Sequence, residues 1–237
     1  MSKNIPPRDR LIFALDVPTL QEAKNWVALL GETVTFYKLG LELLMSGSYF
    51  ELIDWLLAQD KRVFADLKFF DVPQTVAAAV RQLNGRGISF TSVHGNDAIL
   101  KAACEHTEDV GVLAVTVLTS LDQKDLQDLG FKTDPQTLVL SRARRALSLG
   151  CAGVVSSGLE APALRHELGN QFLIVTPGIR PIENRPVDDQ KRSVDVEQAL
   201  RNGADYLVVG RPISAARDPR AAAEDIQRRI AAVLAER

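Results

Sequence analysis

The chain has 237 residues, of which 46% are hydrophobic and 24% charged, as in an ordinary globular protein. Its 28 Lys and Arg residues against 30 Asp and Glu residues give a formal net charge of -2, which argues against nonspecific nucleic-acid binding. No run approaches the roughly 20 apolar residues that span a membrane, and the polar N-terminus lacks the apolar core of a secretion signal. Cys104 and Cys151 stand alone in apolar contexts, so we expect reduced core residues in a cytoplasmic protein without nucleic-acid or membrane partners.

Short β-rich runs alternate with amphipathic helical segments along the chain. The predicted strands cover residues 11–16, 33–39, 62–68, 88–94, 111–119, 153–156, 172–176 and 205–210. Periodicity between them predicts helices, for example over residues 20–30, 41–58, 74–84, 135–149 and 219–235. Helix-end signals agree, because Thr19, Asp134 and Asp218 precede predicted helices, and Gly31 and Gly150 follow them.

Eight strand–helix repeats predict an α/β fold, a single (β/α)8 TIM barrel over residues 1–237. A doubly wound open sheet is the alternative. That fold usually carries a Gly-rich fingerprint after its first strand, and the Asp16-Val-Pro-Thr19 segment is not one. The barrel is therefore the better interpretation.

Polar residues concentrate where the predicted strands end, which is where active sites of this fold lie. The eight strand ends carry, in order, Asp16; Lys38; Asp66 and Lys68; His94; residues 116–120; Ser156 and Ser157; residues 176–180; and residues 210–212. Any one of them is compatible with a solvated loop or a helix cap, which we favour for Ser120, Ser156 and Ser157. Together they predict an active site at the barrel mouth.

The densest of these clusters is Asp66-x-Lys68-x-x-Asp71, at the end of the third strand. Residues two apart on a strand point the same way, so Asp66 and Lys68 share a face. Charges at the end of a buried strand cost free energy unless they are paired or used. A structural ion pair that caps the strand is the alternative to a catalytic cluster.

The last two strands end in a pattern typical of phosphate sites. Gly178 and Gly210 allow close backbone approach, Arg180 and Arg211 follow them, and Pro212 predicts a short helix at the mouth. An ion pair on the barrel rim is the alternative for Arg211. The long polar segment 181–192 is predicted to close over a bound phosphate.

These motifs closely resemble the orotidine 5'-phosphate decarboxylase family, from about Arg10 to the C-terminal helix. The resemblance rests, in chain order, on Asp16, Lys38, Asp66-x-Lys68-x-x-Asp71, Leu118-Thr119-Ser120, Thr176-Pro-Gly-Ile-Arg180, Asp189-Gln190 and Val209-Gly-Arg211-Pro212. It implies a homodimer that converts orotidine 5'-monophosphate to uridine 5'-monophosphate and CO2, the last step of de novo UMP biosynthesis, without metal or cofactor.

The resemblance also implies roles for individual residues. Lys38, Asp66, Lys68 and Asp71 match the charged tetrad of the family, in which Lys68 would protonate pyrimidine C6. Asp71 and Thr75 would reach into the neighbouring subunit's site. The remaining substrate contacts would be Asp16 and Lys38 at the ribose, Asp66 near the substrate carboxylate, Thr119 at the pyrimidine, and Arg180, Gln190, Gly210 and Arg211 at the 5'-phosphate. His94 departs from the family's usual surroundings, so we expect it to be structural.

Two other functions stay open. A sugar-phosphate lyase or aldolase of the same superfamily uses the Asp-x-Lys-x-x-Asp element to place a magnesium ion. Those relatives carry a carboxylate where this chain has Lys38, and a cation there opposes metal binding. A non-catalytic nucleotide-binding barrel is the second alternative, although it would be expected to have lost some of the four charged residues.

Overall fold

In a computed structural model that describes residues 3–180 and 192–236, eight parallel strands close a barrel in sequential order. The strands are β1 Leu11–Ala14, β2 Phe36–Leu39, β3 Arg62–Phe69, β4 Phe90–Val93, β5 Gly111–Val115, β6 Gly153–Val155, β7 Leu173–Thr176 and β8 Tyr206–Val209. The helices are α1 Leu20–Leu30, α2 Leu41–Met45, α3 Tyr49–Leu57, α4 Pro73–Arg81, α5 Asp97–Glu105, α6 Gln123–Asp128, α7 Pro135–Ser148, α8 Ala161–Leu168, α9 Val196–Arg201, α10 Arg211–Ser214 and α11 Pro219–Ala235. The predicted (β/α)8 barrel is confirmed.

The element boundaries differ from prediction in two ways. Most strands are shorter than predicted, because the residues beyond Ala14 and Val115 leave the ladder to form the barrel mouth. The single helix predicted over residues 41–58 is wrong: the chain forms α2 and α3, separated by a turn at Gly47 with φ +83°. The apolar pattern continues through both helices, so periodicity alone did not reveal the break.

The predicted helix starts are confirmed by their capping bonds. Thr19 accepts a hydrogen bond from the Glu22 backbone N–H. Asp134 and Asp218 accept equivalent bonds at the starts of α7 and α11. Each cap satisfies a backbone donor that the first helical turn leaves without a partner.

Aromatic side chains fill the barrel at its amino-terminal end. Phe36, Phe64, Phe90 and Tyr206 are all buried, and their ring centroids lie 5.4–6.3 Å apart in four tilted or edge-on contacts. Such a packed interior leaves space for a ligand only toward the carboxyl-terminal ends of the strands.

Strand β3 extends furthest toward that end. Ala65 and Leu67 pack into the core between strands and helices. Phe64, Asp66 and Lys68 point into the barrel, as alternation predicts. The register of β3 against β4 shifts between Ala65 and Phe69, so the pairing of the last residues of β3 departs from that of a regular strand.

The two cysteines stand apart in the sequence but are neighbours in space. The Cys104 Sγ and Cys151 Sγ atoms lie 3.5 Å apart as free thiols, and only Cys151 is buried. Of the helices in the two described ranges, none is both long and apolar enough to cross a bilayer.

Candidate active site

The carboxyl-terminal ends of the strands surround a cavity of about 550 Å³. It brings together residues from seven of the eight strand ends, which are distant in sequence. The predicted site residues that line it are Asp16, Lys38, Asp66, Lys68, Thr119, Arg180, Gly210 and Arg211. Convergence of charged groups in one cleft of this size is typical of a small-molecule site.

Four of these side chains form a row of alternating charge. The Lys38 Nζ atom lies 3.0 Å from Asp16 Oδ1 and 3.6 Å from Asp66 Oδ2. The Lys68 Nζ atom lies 2.8 Å from the same Asp66 oxygen. At an effective dielectric constant near 20, unit charges at such distances attract by roughly 5–6 kcal/mol before desolvation is counted. The row therefore places fixed charge of both signs along one wall of the cavity.

Asp66 is the centre of the row and is held on both oxygens. It is 7% exposed, and its Oδ1 accepts a hydrogen bond of 2.7 Å from the Ser92 hydroxyl. Burial alone favours the protonated carboxyl, but the Lys38 and Lys68 ammonium groups and these hydrogen bonds outweigh it and lower the pKa of Asp66. The carboxylate is therefore ionised at neutral pH.

Lys68 has an unusual backbone conformation. Its φ is +46°, in the left-handed region that a residue with a side chain adopts at a cost of about 1–2 kcal/mol. Its backbone N–H donates a 2.9 Å hydrogen bond to the Ser92 hydroxyl, which in turn binds Asp66. The strained backbone and Ser92 together aim the Lys68 ammonium at the cavity.

Ser92 is a site residue that the sequence analysis missed. It lies on β4 and is completely buried. Strand alternation from Phe90, an inward-facing residue, would have placed its hydroxyl inside the barrel. A polar residue at an inward position is the signal that could have found it.

Asp71 and Thr75 lie apart from the cavity. Both are exposed, and Asp71 Oδ1 accepts a 2.6 Å hydrogen bond from the Val72 N–H. Within the described residues of this chain, no ion pair joins Asp71 to Lys68. The apolar side chains of Phe70 and Val72 beside them are 69% and 61% exposed. One chain therefore does not complete the tetrad.

The ends of β7 and β8 have the features predicted for a phosphate site. Helix α10 begins at Arg211 with Pro212 in its first turn, as expected from the sequence. Gly178, Gly210 and Arg180 line the same cavity, and Arg180 Nη1 donates a 2.8 Å hydrogen bond to the Ile179 carbonyl. Gln190 and most of the predicted lid, residues 181–191, lie outside the described residues.

A close-packed glycine supports the Asp16–Lys38 pair. A Cβ atom at Gly40 would lie 3.0 Å from Asp16 Oδ1 and 3.4 Å from Lys38 Nζ. Gly40 therefore leaves the room in which these two side chains meet.

His94 and Ser157 have mainly structural surroundings, whereas Ser120 and Ser156 line the cavity at the strand ends. The His94 ring lies edge-on against Phe70 in a separate cavity of about 380 Å³. Burial, with Arg142 and Lys68 nearby, lowers the pKa of His94 and keeps it neutral. Ser156 and Ser157 are both buried, so the solvated-loop interpretation is wrong for them, whereas Ser157 does cap a turn by accepting a bond from the Leu159 N–H.

Comparison with known proteins agrees with this geometry. The model of the Orotidine 5'-phosphate decarboxylase / HUMPS family matches residues 9–226. An orotidine 5'-phosphate decarboxylase of Methylococcus capsulatus is 63% identical over 234 residues, which cover 99% of this chain and 97% of that protein. One from Stenotrophomonas maltophilia is 50% identical over 238 residues, with 98% of both chains covered.

A solved structure agrees as well. The crystal structure of orotidine 5'-phosphate decarboxylase from Lactobacillus acidophilus superposes with a TM-score of 0.81 at 34% identity, covering 94% of this chain and 99% of that one. These matches confirm the resemblance and the class of enzyme predicted from the sequence. The chain therefore belongs to the Orotidine 5'-phosphate decarboxylase / HUMPS family.

Proposed function

We propose that this chain decarboxylates orotidine 5'-monophosphate to uridine 5'-monophosphate and CO2, the last step of de novo UMP biosynthesis, without a cofactor. The observation that carries the proposal is the row of alternating charges that ends at Lys68, inside a cavity that Arg180 and Arg211 also line. Full-length relatives that are named orotidine 5'-phosphate decarboxylases support it.

The reaction requires a cation beside the reacting carbon. When the bond between C6 and the carboxylate breaks, CO2 leaves and the electron pair stays on C6, with no carbonyl placed to accept it. The Lys68 ammonium stabilises that charge as it develops and then donates its Nζ proton to C6. Solvent afterwards reprotonates the amine, so no redox partner or metal enters the balance.

Asp66 holds the Lys68 side chain in place. Its Oδ2 lies 2.8 Å from the Lys68 Nζ, while Ser92 fixes its other oxygen. In the proposed complex the substrate carboxylate lies beside the Asp66 carboxylate. Repulsion between the two carboxylates raises the free energy of the bound substrate. It is relieved as CO2 leaves, so the barrier to decarboxylation is lower.

The remaining cavity residues bind the rest of the nucleotide. Asp16 and Lys38 hold the ribose hydroxyls, and Thr119 contacts the pyrimidine edge. The 5'-phosphate is bound by Arg180, the backbone at Gly210, and Arg211, joined by Gln190 from outside the described residues. Charge-assisted contacts to a phosphate contribute roughly 1.5–3 kcal/mol each. Because the phosphate is remote from C6, that energy orients the substrate for reaction.

The proposed active unit is a homodimer in which Asp71 and Thr75 enter the neighbouring site. Both side chains are exposed in one chain, next to the exposed apolar side chains of Phe70 and Val72. Exposed apolar groups beside an incomplete charged cluster are what a self-complementary interface would cover. Free thiols at Cys104 and Cys151 fit the reducing cytoplasm in which we place this dimer.

Complementation tests the shared site. Lys68→Ala and Asp71→Ala homodimers, each inactive, are mixed under conditions that exchange subunits. Random exchange makes half of the dimers mixed, each with one intact site, so roughly a quarter of wild-type activity returns. Continued inactivity after verified exchange would refute the assignment of Asp71 to the partner's site.

The magnesium-dependent alternative is not favoured by the site. The Lys38 ammonium lies between the Asp16 and Asp66 carboxylates, where a divalent cation would otherwise be held. The test is ultraviolet-monitored conversion of orotidine 5'-monophosphate by the purified chain with and without EDTA. We expect turnover that EDTA leaves unchanged. Inactivity toward this substrate, or activity lost with EDTA, would refute the proposed function.

A further inference from the structure

Arg192 lies outside the cavity but binds the loop that forms part of its wall. Its Nη2 donates hydrogen bonds of 3.0 Å to the carbonyls of Val117 and Leu118. Its backbone N–H donates a further bond of 3.3 Å to the Thr119 carbonyl. One residue therefore binds three successive carbonyls of the loop after β5, and all three of these residues line the cavity.

The same residue is tied to the loop after β6. Arg192 Nη1 donates a 2.6 Å hydrogen bond to Glu160 Oε1, and both side chains are buried. The Ser157 hydroxyl donates to the Arg192 carbonyl at 3.3 Å. Arg192 is therefore also held by the loop after β6, the strand that pairs with β5.

The chain just after Arg192 then joins the loop after β7. Val194 forms a parallel bridge with Ile179, and its carbonyl accepts a 2.9 Å hydrogen bond from the Arg180 N–H. Residues 192–194 therefore span from the Thr119 loop to the Arg180 loop. In the proposed function these loops bind the pyrimidine and the phosphate.

The buried Arg192–Glu160 pair is poorly suited to stabilising the fold on its own. Within the described residues, the Arg192 Nε and Glu160 Oε2 atoms are buried without hydrogen-bond partners. Removing two charges from water is costly, and a pair with unsatisfied atoms recovers less of that cost than a fully bonded one. What the pair does instead is help to hold the loops after β5, β6 and β7 at a defined spacing.

We propose that Arg192 is a positioning residue, which sets the distance between Thr119 and Arg180 and so matches the cavity to a substrate that both must contact. This inference rests on the proposed function. Lysine is a poor replacement. The planar guanidinium of Arg192 reaches Glu160 and the carbonyls of Val117 and Leu118 at the same time, whereas a single ammonium cannot.

Arg192→Lys is the variant of choice, since it keeps a cation beside the buried Glu160 and so allows folding. We expect kcat/KM for orotidine 5'-monophosphate to fall about 10- to 100-fold, as small misplacements of substrate-binding groups do. In a Thr119→Ala background the same change should cost less than about threefold, because the group being positioned is already gone. Arg201→Lys is the matched control, since Arg201 pairs with Glu236 at the exposed surface, and it should leave kcat/KM unchanged.

Hydrogen–deuterium exchange provides a readout that does not depend on activity. Peptides that cover residues 116–121 should exchange faster in Arg192→Lys than in wild type or Arg201→Lys. Equal exchange, or an equal loss of kcat/KM with and without Thr119, would overturn the positioning role. If the wild-type chain does not decarboxylate the substrate, the proposed function fails, and the exchange result alone still decides whether Arg192 orders the loop.

Discussion

Replacing Lys68 by alanine separates catalysis from folding in this site. After the substitution, Asp66 keeps Lys38 at 3.6 Å and the Ser92 hydroxyl at 2.7 Å. The Lys38 attraction alone amounts to roughly 5 kcal/mol at an effective dielectric constant near 20, so the buried carboxylate stays ionised and paired. The Lys68 side chain is 37% exposed, so its loss opens no sealed cavity. The barrel should therefore remain folded.

Catalysis, by contrast, should almost vanish. A general acid typically contributes about 10²–10⁴ in rate, and one preorganised electrostatic group about 10²–10³. Since the Lys68 ammonium is assigned both roles, kcat should fall by at least about 10⁴. The assay is the ultraviolet-monitored conversion of orotidine 5'-monophosphate, with circular dichroism to verify the fold. A folded variant that keeps one tenth of the wild-type kcat would refute the assignment.

The backbone conformation of Lys68 leads to a second prediction, on the stability of its variants. At φ +46°, alanine bears a conformational cost of about 1–2 kcal/mol that glycine does not, while glycine loses about 0.5–1 kcal/mol more in backbone entropy on folding. Lys68→Gly should accordingly be more stable than Lys68→Ala by about 0.5–1 kcal/mol, and equally inactive. Urea denaturation measures the difference, and a more stable alanine variant would contradict the inferred strain.

Three further predictions concern the rest of the cavity. Arg211→Ala should raise KM and lower kcat/KM about 10-fold or more through loss of a charged phosphate contact, whereas an unchanged KM in steady-state assays would remove Arg211 from that site. Gly40→Ala should raise KM without lowering Tm, because its methyl group would displace the Asp16–Lys38 pair, and a normal KM would show that the pair tolerates the shift. Since the folded-state pKa of Asp66 is lowered, its stabilising contribution is present above the unfolded value of about 4 and is lost as pH falls through the folded value. Wild type should therefore lose more Tm than Asp66→Asn between about pH 6 and about pH 3, and equal losses in thermal scans would contradict the lowered pKa.

The sequence predicted the barrel because each repeat carries local signals. Apolar runs, helix periodicity and the caps at Thr19, Asp134 and Asp218 all depend on neighbours in the chain. The break at Gly47 was not predicted, because the apolar face of α2 continues into α3.

The site was predicted only where local sequence patterns determine it. Asp66 and Lys68 share a face because strand geometry fixes it, and the cavity at the strand ends follows from the fold. Strand alternation predicts the inward position of Ser92 but not its hydrogen bond to Asp66, 26 positions away, nor that of Arg192 to Val117, 75 positions away. Such long-range hydrogen bonds have no local pattern, and neither does the positive φ of Lys68.

The most direct test of the central claim is to incubate the purified chain with orotidine 5'-monophosphate and EDTA in D2O, and to examine the product by NMR. The proposed chemistry predicts uridine 5'-monophosphate with one deuterium at C6, because the exchangeable Lys68 Nζ supplies the hydron that replaces CO2. Recovery of unchanged orotidine 5'-monophosphate from a folded dimer would contradict it.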